Sequence, residues 1–140
     1  MEIESRNMGK IRITVDWNGR NYAACPENED IACIATGKTL AELKSNMEEA
    51  LEMHAAGFEE DSLPIPGELQ GKISPIYIMT TRALLHHSEK WVTLKAISQE
   101  TGINLQQLSH YATGWRHPRP GMQKKIADGI RSIGKKLCAL

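Results

Sequence analysis

The chain has little of what staples or anchors a fold. Only three cysteines occur, Cys25, Cys33 and Cys138. An odd count without C-x-x-C spacing suits a reducing compartment better than a disulfide or zinc framework. No apolar run approaches the ~20 residues that cross a bilayer, and Met1-Glu2-Ile3-Glu4 lacks the basic-then-apolar order of an export signal. A cytoplasmic protein with no membrane span and no metal or other cofactor is therefore expected. What is present is ordinary globular composition, 41% hydrophobic and 24% charged over 140 residues, which excludes a disordered or collagenous chain and allows one domain or two small ones.

Net charge is also missing, with 17 Lys and Arg against 17 Asp and Glu, but the balance is uneven. Residues 1–79 hold 7 basic and 14 acidic side chains, and residues 80–140 hold 10 and 3, so the halves carry −7 and +7. The change follows a Pro- and Gly-rich stretch from Leu63 to Gly71. Two modules, 1–79 and 80–140, with partners of opposite sign are expected.

In the acidic half, Ile11, Ile13, Val15 and Trp17 alternate with Arg12, Thr14 and Asp16, the period of a half-buried strand. Asn18-Gly19 predicts a tight hairpin turn with left-handed dihedrals, followed by strands over 21–25 and 31–35. Thr39-x-x-Glu42 is a capping box, so a helix should start at Leu40, with the Glu side chain returning to the cap amide. Leu40, Leu43, Met47, Ala50, Leu51 and His54 share one helix face; Glu48, Glu49 and Glu52 lie elsewhere on it, and Gly57 is placed to end it. A fourth strand over 73–79 completes a βββαβ unit. The three glutamates form either a solvated face or part of a docking surface for a basic partner.

The hairpin, the short third strand, Gly37-Lys38-Thr39-Leu40-x-Glu42, the apolar-acidic helix and Leu63-Pro64-x-Pro66 resemble the HicB antitoxin domain over roughly residues 10–79. The resemblance implies a partial, degenerate ribonuclease-H-like fold that binds and blocks a HicA-like toxin, a small basic ribonuclease.

The basic half reads as helices with short breaks. Thr80 or Thr81 can cap a helix through Leu84 and Leu85, Thr93 another over 94–101, and Asn104 a third after the Gly102-Ile103 break. Helix, glycine turn and capped helix form the helix-turn-helix signature of an all-α DNA-binding domain. Gly102-Ile103-Asn104, Leu108, Gly114 and Pro118 are similar to the run of Cro/cI-type domains, which implies four helices. GINLQQLSHYATGWRHPRP is similar to the C-terminal domain of HicB-type antitoxins. Leu94 stands where that superfamily commonly has a Gln, so one customary backbone contact is expected to be absent.

Groove chemistry selects the candidate readers. The Gln106 and Gln107 amides can pair with the N6 and N7 edge of adenine, and His110 can donate to guanine. Leu105 can meet a thymine methyl or pack inward. Arg116, His117 and Arg119, with Lys95, are candidates for phosphate contacts, and Asn104 is placed at the same surface. Trp91 and Trp115 can be read as stacking platforms for single-stranded nucleic acid, and Trp91, just before the second helix, reads better as core. His86-His87 cannot grip one metal, because adjacent helical side chains diverge by about 100°. Met122, Ile126, Ile130, Ile133 and Leu137 form a narrow stripe that either closes the core or pairs with a second copy. A homodimer or higher oligomer is expected on half-site grounds.

The leading function is an antitoxin that neutralises a HicA-like ribonuclease and represses its own operon by binding double-stranded operator DNA. The alternative keeps the repressor and gives residues 1–79 to dimerisation or effector binding. An enzyme is not expected: ribonuclease-H chemistry needs several carboxylates around two metals, whereas the strands offer only Asp16 and the cap occupies Glu42.

Overall fold

Alternating polarity builds the first strand. The structure, a computed structural model, describes residues 10–139. In β1 (Lys10–Trp17) Ile11, Ile13 and Val15 are buried and Arg12 and Asp16 exposed. It pairs antiparallel with β2 (Tyr22–Pro26), Trp17 facing Tyr22 and Ile13 facing Pro26. The loop between them is wider than the tight turn expected from Asn18-Gly19. Gly19 has φ 93°, but Asn18 bends the chain with its side chain, Oδ1 accepting from the amides of Arg20 and Asn21, each at 2.9 Å.

β3 (Ala35–Gly37) runs antiparallel to β2, with Tyr22 facing Gly37. It starts later than the 31–35 expected. Asn28 turns the chain first, its Oδ1 accepting from Asp30 N and its carbonyl from Ile31 N, both at 3.0 Å; Ile31 is buried in the core while Ile34 is left in solvent.

The first helix, α1 (Leu40–Glu60), is capped by Thr39, whose Oγ1 accepts from Glu42 N at 3.1 Å. The reciprocal bond goes to Lys38 N at 3.2 Å, one residue before the amide expected. Leu43, Met47 and Leu51 enter the core, and Gly37 permits the approach: a Cβ there would lie 2.6 Å from Leu43 N. The helix does not stop at Gly57. Its end is a Schellman arrangement in which Ser62 takes the left-handed conformation at φ 55°, Leu63 N donates to Phe58 O and Ser62 N to Glu59 O. Phe58 explains the extra turn, since its ring packs edge-on against His54, centroids 5.1 Å apart. A 3-10 turn (Gly67–Leu69) buries Leu69, and β4 (Ser74–Met79) follows. The strand order β3-β2-β1-β4 means that the chain passes from one edge of the sheet to the other through α1.

The chain divides into two compact units between Ile78 and Met79. The second contains α2 (Thr81–Ser88), α3 (Leu94–Thr101), α4 (Leu105–Thr113) and α5 (Pro120–Cys138), so the protein is α+β. Thr80, Thr93 and Asn104 cap α2, α3 and α4. Leu85, Ile97, Ile103, Leu108, Tyr111 and Ile126 form the core, with Val92 and Leu94 packed at its margin.

Trp91 is not core, contrary to expectation: it is 68% exposed. The chain leaves α2 through bonds from Trp91 N and Val92 N to Ser88 O, so Val92 takes the inward place and the indole lies edge-on to His87, centroids 5.1 Å apart. On α5, Met122, Ile126, Ile130 and Ile133 pack on the core, whereas Leu137 is 69% exposed. Gly129 serves the interior, because a Cβ there would collide with the Thr101 methyl. Among the described residues, no helix is long and apolar enough to cross a membrane.

Candidate functional site

The best-defined polar surface surrounds α4. Two glycines in the left-handed conformation bound it, Gly102 at φ 76° and Gly114 at φ 80°, where a side chain would be strained. Asn104 Oδ1 accepts from Gln106 N at 2.8 Å and Gln107 N at 3.4 Å. That oxygen of the sequence candidate is therefore occupied in holding the helix start. Leu108 and Tyr111 point inward. Leu105, left open by the sequence, is 45% exposed, and Gln106 beside it is exposed with no side-chain hydrogen bond among the described residues.

The other two expected readers are engaged. Gln107 Nε2 donates to the Tyr111 hydroxyl at 2.7 Å, so its use against a base would require exchange of that bond. The His110 ring lies edge-on to Trp115, centroids 4.3 Å apart. Trp115 is 67% exposed, and the Arg116 guanidinium sits 5.4 Å from its ring centroid, a cation–π contact that restrains the arginine. Arg116 N also donates to His110 O at 3.2 Å, fixing the turn after Gly114. His117 and Arg119 are exposed just beyond, and Lys95 is exposed in the first turn of α3.

Among the described residues, no cation of that surface pairs with an acid of this unit. Its three acids are engaged elsewhere: Glu89 with His86 Nδ1 at 3.5 Å, Glu100 with Lys136 at 2.8 Å, and Asp128 with Lys124 and Arg131 at 2.8 and 3.2 Å. Hydrogen bonds from Lys136 and then Ser132 hold the Glu100 carboxyl below its usual range, and the Lys124 bond does most to lower Asp128. Lys95, Arg116, His117 and Arg119 have no carboxylate partner among the described residues. A surface of uncompensated cations beside an exposed amide and an exposed aliphatic side chain can take a polyanion and discriminate along it.

The acidic candidates separate in the first unit. Glu48 and Glu52 line a groove of about 430 Å³ with Lys72, Ile73 and Pro75, while Glu49 is exposed and takes no part in that lining. Nearby, Tyr77 lies under Lys44 Nζ, 5.3 Å from the ring centroid. Burial first, and the Glu48 charge second, push its hydroxyl pKa up to about 12. A second hollow of about 290 Å³ is lined by Met53, Phe58 and Leu63 among others. Among the described residues, no group of three or more His, Cys, Asp and Glu side chains is placed to hold a metal ion.

Sequence spacing missed two features of the α4 surface: the Trp115 bracket on His110 and Arg116, and Arg82, whose head group lies against Gly114. An indole beside an arginine was a visible signal for the first. The second joins residues far apart in sequence and left no local trace. In comparisons with known proteins, no family description and no curated sequence matches the chain.

Proposed function

We propose that this protein is a HicB-like antitoxin and repressor, whose second unit is a helix-turn-helix domain that binds operator DNA and whose first, a degenerate ribonuclease-H-like domain, holds a small basic ribonuclease toxin. The observation that carries the DNA reading is the charge arrangement on and after α4: Glu100 and Asp128 are held by Lys136, Lys124 and Arg131, whereas Arg116, His117 and Arg119, with Lys95 on α3, have no carboxylate partner among the described residues, and Gln106 and Leu105 are exposed on α4. In this reading α4 enters the major groove. Gln106 reads an adenine edge, Leu105 meets a thymine methyl, and the cations hold phosphates. The toxin reading is supported by the acidic balance of residues 1–79 and by the Glu48 and Glu52 groove. Charge there steers the encounter, and buried apolar contact retains the partner.

The test compares the duplex upstream of the protein's own gene with random duplex. Gln106→Ala should cost about 1–3 kcal/mol on the former and little on the latter. Arg116→Ala should weaken both and reduce the salt slope by about one unit. Equal affinity of the Gln106→Ala variant and the wild type for the upstream duplex would place another element in the groove. Failure of a neighbouring small basic chain to co-purify would leave a plain repressor.

A further inference from the structure

Arg82 lies in the first turn of α2, and its guanidinium has no hydrogen-bond or ion-pair partner among the described residues. The Nε is buried. The head group rests against the α-carbon of Gly114, where an added Cβ would lie 2.7 Å from Nη1 and 2.8 Å from Cζ. Glycine at this turn therefore leaves the space that the guanidinium occupies. A buried, unpaired donor on a charged group is unfavourable, and because Arg82 as a whole is only half-buried its Nη donors stay open to an anion. The planar fork of donors matches an oxyanion that can accept two bonds. No acid of this unit answers that demand, since Glu89, Glu100 and Asp128 are paired elsewhere. Arg116 leaves the chain from the same Gly114 turn.

We propose that Arg82 is a phosphate clamp: on duplex DNA its guanidinium donates to a backbone phosphate beside the groove that α4 enters, with Gly114 as its seat. The inference rests on the DNA-binding reading of α4 and adds a contact from a different helix. Gripping the backbone from α2 as well as from the turn after α4 fixes the angle at which α4 meets the bases.

The experiment is a fluorescence-anisotropy titration of a labelled random-sequence duplex with the full chain at several KCl concentrations, using wild type, Arg82→Met and Arg82→Lys, beside thermal melts without DNA. Arg82→Met should bind roughly three- to tenfold more weakly, with a log–log salt slope smaller by about 0.9. Its melting temperature should not fall, because the stem is kept and the unpaired Nε–H is gone. Arg82→Lys should keep most of the slope while losing part of the affinity, because it lacks the fork. A wild type that binds with an Arg82→Met slope identical to its own would overturn the clamp and leave the DNA reading standing. So would a lysine variant that loses the slope as completely as the methionine variant, or a lowered melting temperature with unchanged binding, which would make Arg82 a packing residue. A wild type that does not bind duplex overturns both readings.

Discussion

Ser62 occupies a backbone position that suits glycine, while Gly57, five residues earlier, sits inside a helix that it tends to weaken. The sequence pointed to the wrong residue because a helix-ending glycine is a local signal, whereas the His54–Phe58 contact that carries α1 onward is not. Ser62→Gly should raise the stability of the chain by roughly 0.5–1 kcal/mol, the relief of left-handed strain less the added freedom of the unfolded glycine, measurable as a higher urea midpoint at unchanged slope. Other residue-level features were legible because each is a short-range hydrogen bond. The caps by Thr39, Thr93 and Asn104 need only a side-chain oxygen two or three residues before an unpaired amide. The expected readers Gln107 and His110 were only half legible: their place on the helix follows from period, but their partial burial and engagement by Tyr111 and Trp115 follow from packing.

Among elements, α3 and α5 are joined by the most specific polar contact of the helical unit. Ser132 Oγ and Lys136 Nζ both donate to Glu100. These bonds lower the folded-state pKa of Glu100. A depressed carboxyl contributes stability that is present above its unfolded value, about 4.3, and is lost as pH falls through the folded value. Asp128, lowered by Lys124 and Arg131, acts in the same direction. The melting temperature should therefore drop as pH is taken below about 4, and Glu100→Gln should lower it at neutral pH while flattening the decline. An identical acid profile in the variant would remove Glu100 from the account. Strand and helix order could be read from polarity period and caps, but edges could not: β3 moved because Asn28 turned the chain first. Trp91 lies outside the core because the neighbouring Val92 fills the inward place.

For the whole molecule, the informative quantity is the distribution of charge rather than its sum. Sequence counting found the −7 and +7 halves, and the division between Ile78 and Met79 gives each half its own core. Counting could not show which cations are neutralised. That depended on contacts such as Glu100 with Lys136, 36 residues apart, which neutralise some cations of α5 while those around α4 have no carboxylate partner among the described residues. The division of labour is tested by titrating the upstream duplex, and separately the neighbouring small basic chain, with residues 1–78 and 79–140 produced as separate chains. Residues 79–140 should bind the duplex with an affinity that falls steeply with salt, while 1–78 should ignore DNA and bind the basic chain. Duplex binding by 1–78, or loss of both activities from both halves, would contradict it.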